Sequence, residues 1–440
     1  MSHKITFFQY VIPSILSFAL AGVYAIVDGY FIGNSIGDAG LSAINIAYPL
    51  VALLQAVGTG IGMGGAVKYT IAAAEGKSQE AKYYIACTLW LLLGLSILLT
   101  FGIFAASATI LTLLGASDEL LKLSDVYIKV MALGTILQIF STGLVPFMRN
   151  FGGSFLAMVA MIGGFITNIA FDYYFIWVMG KGMFGAALAT LIGQAVTMLF
   201  AIIYCYAKGK ITFQLPYTAA LPVAYQICKI GLAPFGLTLV PNISLVIINK
   251  FSTFYGGEQA IATYACISYI IWIVYLVLQG VGDGSQPLMS IFYGRKDAHA
   301  LQEIKSLAYS FAMLLAVCGA FFLYSLRDHI GLLFGTSPEV NAGIIEIMPI
   351  FLISVPFVAI TRIATAAFYA TEKSTLSYIL TFLEPVAMLI LMLVLPPLFG
   401  GQIMIWWSTV LARIIMAVLA LALTALSAAA DAKSNFVALH

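Results

Sequence analysis

Long apolar runs separated by short polar gaps follow one another along the whole chain. A hydrocarbon core about 30 Å thick requires about 20 predominantly apolar residues in a helix that crosses it. Twelve runs reach this length, six in each half of the chain. They lie at residues 7–32, 41–73, 83–106, 121–148, 155–179, 183–206, 224–254, 259–292, 304–324, 340–369, 375–395 and 402–426. The pattern predicts an all-α integral membrane protein with twelve transmembrane helices.

The two halves of the chain carry similar short motifs at corresponding places. Isoleucine-proline at 12–13 in the first run corresponds to alanine-proline at 233–234 in the seventh. Glycine-lysine at 76–77 corresponds to glycine-arginine at 294–295. Because each half has six runs, both halves begin on the same side, as in transporters built from two parallel repeats. We therefore predict two pseudo-symmetric six-helix lobes at residues 1–206 and 223–440, joined by a cytoplasmic linker at residues 207–222.

The distribution of lysine and arginine predicts how the chain is oriented. If the N-terminus is inside, ten of these residues lie in inside segments and four lie in outside loops. The inside residues are Lys4, Lys77, Lys82, Arg149, Lys208, Lys210, Arg295, Lys296, Lys373 and Lys433; the outside residues are Lys122, Lys181, Lys250 and Arg327. Positive charge accumulates on the cytoplasmic side of membrane proteins. We expect a multi-pass protein of the inner or plasma membrane with both termini cytoplasmic.

Composition agrees with this prediction and excludes other classes. The 440 residues are 62% hydrophobic and 9% charged, with a net charge of +2. A soluble protein of this size needs more polar residues to cover its surface. The charge is too small and too dispersed for nucleic-acid binding. The five cysteines all lie in apolar runs without metal or disulfide spacing.

One glycine motif has the form of an enzyme motif but lies in the wrong context. Residues 60–65 match the dinucleotide-binding pattern, yet they lie inside an apolar run instead of between a strand and a helix. We expect these glycines to allow close helix packing or a bend, through pairs such as Gly58/Gly62 and Gly60/Gly64. The sequence contains no hydrolase motif, and no pair of its four histidines has metal-ligand spacing. We therefore expect neither an enzyme nor a bound cofactor.

Ionisable residues inside the apolar runs are the main candidates for function, because a charge in hydrocarbon costs at least ~2.5 kcal/mol. Asp28 lies near the end of the first run, Asn168 and Asp172 late in the fifth, and Thr190 early in the sixth. At about 1.5 Å per residue, all four lie at a similar depth. Asn168 and Asp172 are also one helical turn apart, on one face. Two carboxylates with amide and hydroxyl neighbours can share a proton or hold a small hard cation.

Further polar residues extend this group into a predicted substrate cavity. Tyr24 lies one turn before Asp28, Gln194 lies one turn after Thr190, and Asn45 lies in the second run. The competing interpretation is a buried hydrogen-bond network with a purely structural role. Asp28 favours the functional interpretation because no basic residue is near it in the sequence.

The second half contributes three further acidic residues to the predicted cavity, namely Asp283, Glu346 and Glu384. Glu384 precedes Pro385, which removes a backbone hydrogen bond and bends the helix. The alternative for Glu384 is a structural salt bridge with a residue such as Arg413. Glycines on both sides of Asp283 suggest a hinge instead of a binding site.

Two basic residues inside the runs have simpler interpretations. Arg149 lies at the inner end of the fourth run, where a basic residue usually anchors the topology. Lys68 lies near the inner end of the second run, and we expect its ammonium group to extend to the cytoplasmic surface.

Several motifs together give the chain a resemblance to the MATE family of multidrug and toxic compound extrusion transporters. They lie at residues 12–13, 27–33, 43–49, 167–172 and 185–190, and the resemblance spans nearly the whole chain. It implies a secondary active antiporter that exports cationic or amphipathic organic compounds in exchange for H⁺ or Na⁺. The two lobes would open alternately to each side of the membrane. We expect a monomer in the lipid bilayer whose partners are small organic cations.

The resemblance also implies roles for particular residues. Asp28 occupies the position of the family's coupling residue, and a Na⁺ site would consist of Asp28, Asn168, Asp172 and Thr190. The branch with a carboxylate site in the second lobe is matched less well, since Asn242 and Lys373 occupy the aligned positions.

Two rival functions have less support in the sequence. A flippase for lipid-linked precursors, from the same superfamily, would require a cavity lined with basic residues to bind pyrophosphate. The candidates that face the cavity here are mainly acidic, which favours cationic substrates. A membrane-embedded enzyme would require a nucleophile with a general base, and no such pattern is present.

Overall fold

The computed structural model describes residues 3–334 and 336–438. Gly335, which belongs to a motif that the two halves share, and His440, at the predicted cytoplasmic C-terminus, lie outside the described residues. In the described part of the chain, every regular element is a helix.

Ten helices are long and apolar enough to cross a membrane, and two bent helix pairs make up to twelve spans. The first six are α1 (His3–Ile36), α2 (Asp38–Ala74), α3 (Ser78–Leu113), α4 (Asp118–Leu133 and Thr135–Asn150), α5 (Ser154–Val178) and α6 (Gly182–Ala207). The other six are α7 (Tyr217–Gly257), α8 (Gln259–Gly294), α9 (Ala298–Phe334), α10 (Pro338–Ile353 and Val355–Ala370), α11 (Ser374–Phe399) and α12 (Gln402–Ala438). The predicted fold class, all-α with twelve spans, is confirmed.

Two spans are bent, although the apolar pattern indicated single runs. The halves of α4 meet at an angle of 61° around Gly134, and the halves of α10 meet at 40° around Ser354. A side chain at Gly134 would overlap Leu191 of α6, so the glycine permits a close approach there. In α10, Pro356 is the second residue of the second half, and it has no amide hydrogen with which to continue the helical hydrogen bonds. Each bend therefore has a local cause in the sequence.

Proline does not interrupt α1 or α7, which remain continuous helices through Pro13 and Pro234. In each helix a hydroxyl four residues later donates to the carbonyl of the proline. Ser17 Oγ lies 2.8 Å from the Pro13 carbonyl oxygen, and Thr238 Oγ1 lies 3.1 Å from that of Pro234. The correspondence between the first and seventh runs therefore extends to their hydrogen bonds.

Buried apolar residues form two large cores that follow the two halves of the chain. One core runs from Phe31 in α1 to Ile227 near the start of α7, and the other contains most of the buried apolar residues of α8 to α12. The second core also takes in Phe7 and Val11 of α1. The beginning of α1 therefore packs against the second half. The exact lobe and linker boundaries remain a prediction.

The glycine motif of α2 packs the two halves together. A side chain at Gly62 would overlap the carbonyl oxygen of Gly143 in α4, and one at Gly64 would overlap that of Ile227 in α7. A Cβ at Gly60 would lie 2.8 Å from the Gly231 carbonyl oxygen in α7. The prediction that these glycines serve close packing is confirmed. They let α2 contact α4 on one face and α7 on another.

The halves meet on the side of the membrane where α1 begins and α12 ends, which we call the terminal side. There, residues 60–67 of α2 and 280–290 of α8 are all buried. Toward the opposite side, the same two helices expose Asn45, Tyr48 and Tyr269. The arrangement is therefore closed on the terminal side.

Candidate functional site

Four predicted residues from three helices come together in the first half of the chain. We call Asp28, Asn168, Asp172 and Thr190, with the neighbouring Tyr127, the first-lobe cluster. The Asn168 amide donates to Thr190 Oγ1 at 3.4 Å, and the Asp28 and Asp172 carboxyl groups are neighbours. The similarity in depth inferred from helix lengths therefore corresponds to spatial contact.

Glycines bring the helices of the cluster together. A Cβ at Gly193 of α6 would lie 2.7 Å from the Gly164 carbonyl oxygen and 2.9 Å from Asn168 Cβ in α5. This close packing places Thr190, one turn earlier on α6, beside Asn168. After Asp172, α5 continues as a π-helix from Tyr173 to Val178. Wide π-helical turns occur frequently at functional sites.

Oxygen atoms in the first-lobe cluster are buried without hydrogen-bond partners. They are Oδ1 of Asp28, both carboxylate oxygens of Asp172 and Oδ1 of Asn168. The Asp172 side chain is fully buried. A buried polar atom without a partner costs free energy, and a buried charge costs considerably more. These atoms are hard oxygen ligands, so the cluster fits a bound proton or a small hard cation.

Polar residues of the predicted cavity lie beside this cluster. Tyr24 stacks on Phe165 with a centroid separation of 5.1 Å, and Gln194 Oε1 accepts from Ser141. Gln138, one turn before Ser141, is fully buried and neither polar atom of its side chain has a hydrogen-bond partner.

Sequence reasoning missed Tyr127 and Gln138, both on α4. Polar residues on one face of the fourth run could have indicated them, but the bend at Gly134 interrupts the helical periodicity of that face. Two predicted cavity residues, Asn45 and Glu346, are exposed and do not belong to the first-lobe cluster.

Asp283 of α8 has a different environment from the one that its flanking glycines suggested. Its Oδ1 accepts from Gln279 at 2.7 Å and from Tyr369 at 2.9 Å, and its Oδ2 lies 3.8 Å from Arg149 Nη1. The helix α8 is continuous through Asp283, so this structure shows no bend there. A Cβ at Gly284 would lie 2.8 Å from the Val11 Cα, so this glycine permits close packing on α1.

Arg149 and Lys68 both pair with acidic residues of the other half. The Arg149 side chain is only 4% exposed and pairs with Asp283 of the other half. Lys68 pairs with Glu372, which follows α10, so it also connects the two halves. Arg149 is therefore buried instead of lying at the surface, whereas the Lys68 ammonium group reaches a partly exposed acid in the turn after α10.

The remaining acid of the second half, Glu384, forms the structural salt bridge that was its alternative interpretation. Its carboxylate lies 3.6 Å from Arg413 Nε. Arg413 also donates to Ser354 at 3.1 Å and lies over the Tyr275 ring. Since Asp283 and Glu384 both have arginine partners, the cavity is not mainly acidic in its second half. The argument for cationic substrates therefore depends on Asp28 and Asp172.

A chain of hydrogen bonds joins the halves next to the Arg149–Asp283 pair. Asn150 accepts from Thr70 at 2.6 Å and donates to Gln286 at 3.0 Å. Gln286 donates to Ser290 at 2.9 Å, and Ser290 donates to the Ala370 carbonyl oxygen at 2.9 Å. Side chains from both halves thus close the terminal side.

Asn242 and Lys373 occupy the positions at which one branch of the family has a carboxylate site in the second lobe, and neither residue is acidic. Lys373 bonds to Ser427 and Asp431 of α12 on the terminal side, and Asn242 donates to the Thr238 carbonyl oxygen at 3.3 Å.

Comparisons with known proteins identify similar chains over nearly the whole length. The family model described as MatE matches residues 13–174 and 235–396, once in each half. Multidrug export protein MepA of Staphylococcus saprophyticus is 27% identical over 418 residues, which cover 94% of this chain and 91% of that protein. MepA of Staphylococcus aureus is 25% identical over 403 residues, covering 90% and 88%.

Solved structures share the fold. The outward-facing conformation of a multidrug resistance MATE family transporter has a TM-score of 0.89 at 20% identity, covering 98% of this chain and 97% of that one.

Proposed function

The chain belongs to the MatE family, and from this premise we propose that it is a secondary active antiporter that exports cationic or amphipathic organic compounds in exchange for H⁺ or Na⁺. Family relatives are multidrug transporters, not enzymes. The MepA relatives are multidrug export proteins, which favours drugs over lipid-linked precursors as the substrates of this chain. The observation that carries the proposal is the pair of neighbouring carboxylates, Asp28 and Asp172, in which Oδ1 of Asp28 and both oxygens of Asp172 are buried without hydrogen-bond partners.

Antiport requires that ion and substrate stabilise different states, so that binding of one weakens binding of the other. The first-lobe cluster supplies an ion site for this purpose. A proton shared between Asp28 and Asp172, or Na⁺ held with Asn168 and Thr190, would satisfy the free oxygen atoms. An organic cation close to the same carboxylates competes with that ion electrostatically. Unlike Asp283 and Glu384, neither acid has an ion-pair partner among the described residues.

The coupling ion is tested in liposomes that contain the purified protein and a fluorescent organic cation. A pH gradient and a Na⁺ gradient are imposed separately, and each is dissipated with an ionophore as a control. We expect at least one gradient to drive the cation against its own concentration gradient. If neither gradient moves the cation in the protein-containing liposomes, the antiport proposal is wrong. The gradient that acts identifies the ion.

We also propose that both termini are cytoplasmic, so that the terminal side is the inside and the described arrangement is open to the outside. In a variant without the five native cysteines, single cysteines are introduced at residues 3 and 440 and, for comparison, at Lys181 between α5 and α6. A membrane-impermeant maleimide applied to intact cells should label only the cysteine at 181. Labelling at residue 3 or 440 would require the opposite orientation or another number of spans.

A further inference from the structure

The buried ion pair between Arg149 and Asp283 joins the two halves of the protein. Arg149 lies at the end of α4 and Asp283 lies in α8, with side chains 4% and 5% exposed. If the halves separate on the terminal side during transport, as the proposed function requires, this pair must break. The Asp283 carboxylate then loses Arg149 and is exposed to water or to a substrate, while Arg362 of the same half stays nearby through its hydrogen bond to Gln279 at 3.3 Å.

The Asp283 carboxylate is held in place by its own half of the protein. Oδ1 accepts hydrogen bonds from Gln279 of α8 and Tyr369 of α10. Only Oδ2 faces Arg149, across the boundary. Separation of the halves would leave the two bonds to Oδ1 intact, because both donors move with Asp283. Oδ2 would then face the opened cleft in a fixed orientation.

Arg149 is held in a similar way by the other half. Its guanidinium lies 5.3 Å from the centroid of the Phe18 ring in α1, and Nη2 lies 3.7 Å from the sulfur of Met161 in α5. Contact with an aromatic face stabilises an organic cation as it stabilises a guanidinium. Arg149 would therefore stay with the first half when the halves part.

We propose that Asp283 binds the cationic group of the transported compound from the terminal side, and that Arg149 is the internal cation that replaces it when that side closes. In the open state the compound would pair with Oδ2. Closure would return the Arg149 guanidinium to the same oxygen, so the compound would lose this partner and its affinity would fall. The alternation of one carboxylate between two cations thus favours release on the opposite side. This inference rests on the proposed export of cations.

The pair between Glu384 and Arg413 provides the matched comparison. It is also a carboxylate–arginine pair, in which the Glu384 side chain is 26% exposed and that of Arg413 11%, but both residues lie in the second half, on α11 and α12. Arg413 is further held by Ser354 of α10. Separation of the halves does not break this pair, so Glu384 should not take part in the exchange of cations.

The test measures equilibrium binding of radiolabelled tetraphenylphosphonium to the purified full-length protein in lipid nanodiscs. Arg149→Gln removes the internal cation, and binding should tighten about tenfold relative to the unchanged protein. Adding Asp283→Asn to Arg149→Gln should abolish this gain. Arg413→Gln, which frees Glu384 inside one half, should give no comparable gain.

Unchanged or weaker binding by Arg149→Gln, or a gain that persists with Asp283→Asn, would overturn the assignment. If Arg149→Gln does not fold, Asp283→Asn alone decides. In liposomes sorted by orientation, it should raise the KM for the cation on the terminal side about tenfold and leave binding from the opposite side unchanged. An equal effect on both sides would contradict the inference. Failure of the unchanged protein to transport any cation would instead contradict the proposed function.

Discussion

Asp28→Asn should reduce coupled export to the level of protein-free liposomes, a fall on the order of a hundredfold if coupling has its usual strength. Asparagine keeps the shape and hydrogen-bonding capacity of the side chain but can neither take up a proton nor carry a negative charge for Na⁺. Asp28 has one buried oxygen without a partner, and its carboxyl group lies beside that of Asp172. The measurement is gradient-driven efflux of a fluorescent cation from liposomes.

The same variant should still bind substrate, but acidification or added sodium should no longer release it. Asp172→Asn should impair transport less, since in a coupled pair of carboxylates Asp28 can take over part of the proton binding. Asp328→Asn is the control, because this carboxylate is 57% exposed and lies far along the chain in α9. Export by Asp28→Asn at the unchanged rate would mean that Asp28 is only structural.

Gly62→Ala should strongly destabilise the protein, although alanine is the better helix former by about 1 kcal/mol. The added Cβ would overlap the backbone carbonyl of Gly143, and backbone cannot move aside as a flexible side chain can. Overpacking of this kind costs about 1–3 kcal/mol or more. We expect a lower melting temperature and less monodisperse protein on size-exclusion chromatography.

Gly94→Ala in α3 is the matched control for that substitution. A Cβ at Gly94 has no atom within 4 Å, so the same chemical change meets open space. Its melting temperature should be unchanged or slightly higher. If Gly62→Ala and Gly94→Ala behave alike, α2 and α4 are not packed as closely as described.

The number of spans was predictable because lipid imposes one length scale on every helix. The bends in α4 and α10 were not predictable, because each lies inside a run that has the length of a single span. Gly134 and Pro356 mark them, yet Pro13 lies inside a continuous helix. A glycine or proline alone therefore does not determine whether a membrane helix bends.

All members of the first-lobe cluster except Tyr127 were predictable from depth and helical spacing, since both quantities depend only on position along a helix. The acidic partners of Arg149 and Lys68 were not predictable in this way, because Asp283 and Glu372 belong to the other half of the chain. Pairing across the boundary depends on how the halves dock. The Glu384–Arg413 pair was accessible because both residues lie inside neighbouring predicted spans.

The unpartnered oxygen atoms around Asp172 also bear on the heat resistance of the protein. Each such atom lowers the stability of the folded state, and natural proteins often retain this cost where activity requires it. Apolar side chains at these positions would pack better and raise the melting temperature while removing the ion site. Selection for thermal stability alone would therefore tend to yield inactive proteins. In this molecule, transport activity and thermal stability therefore place opposite requirements on the side chains around Asp172.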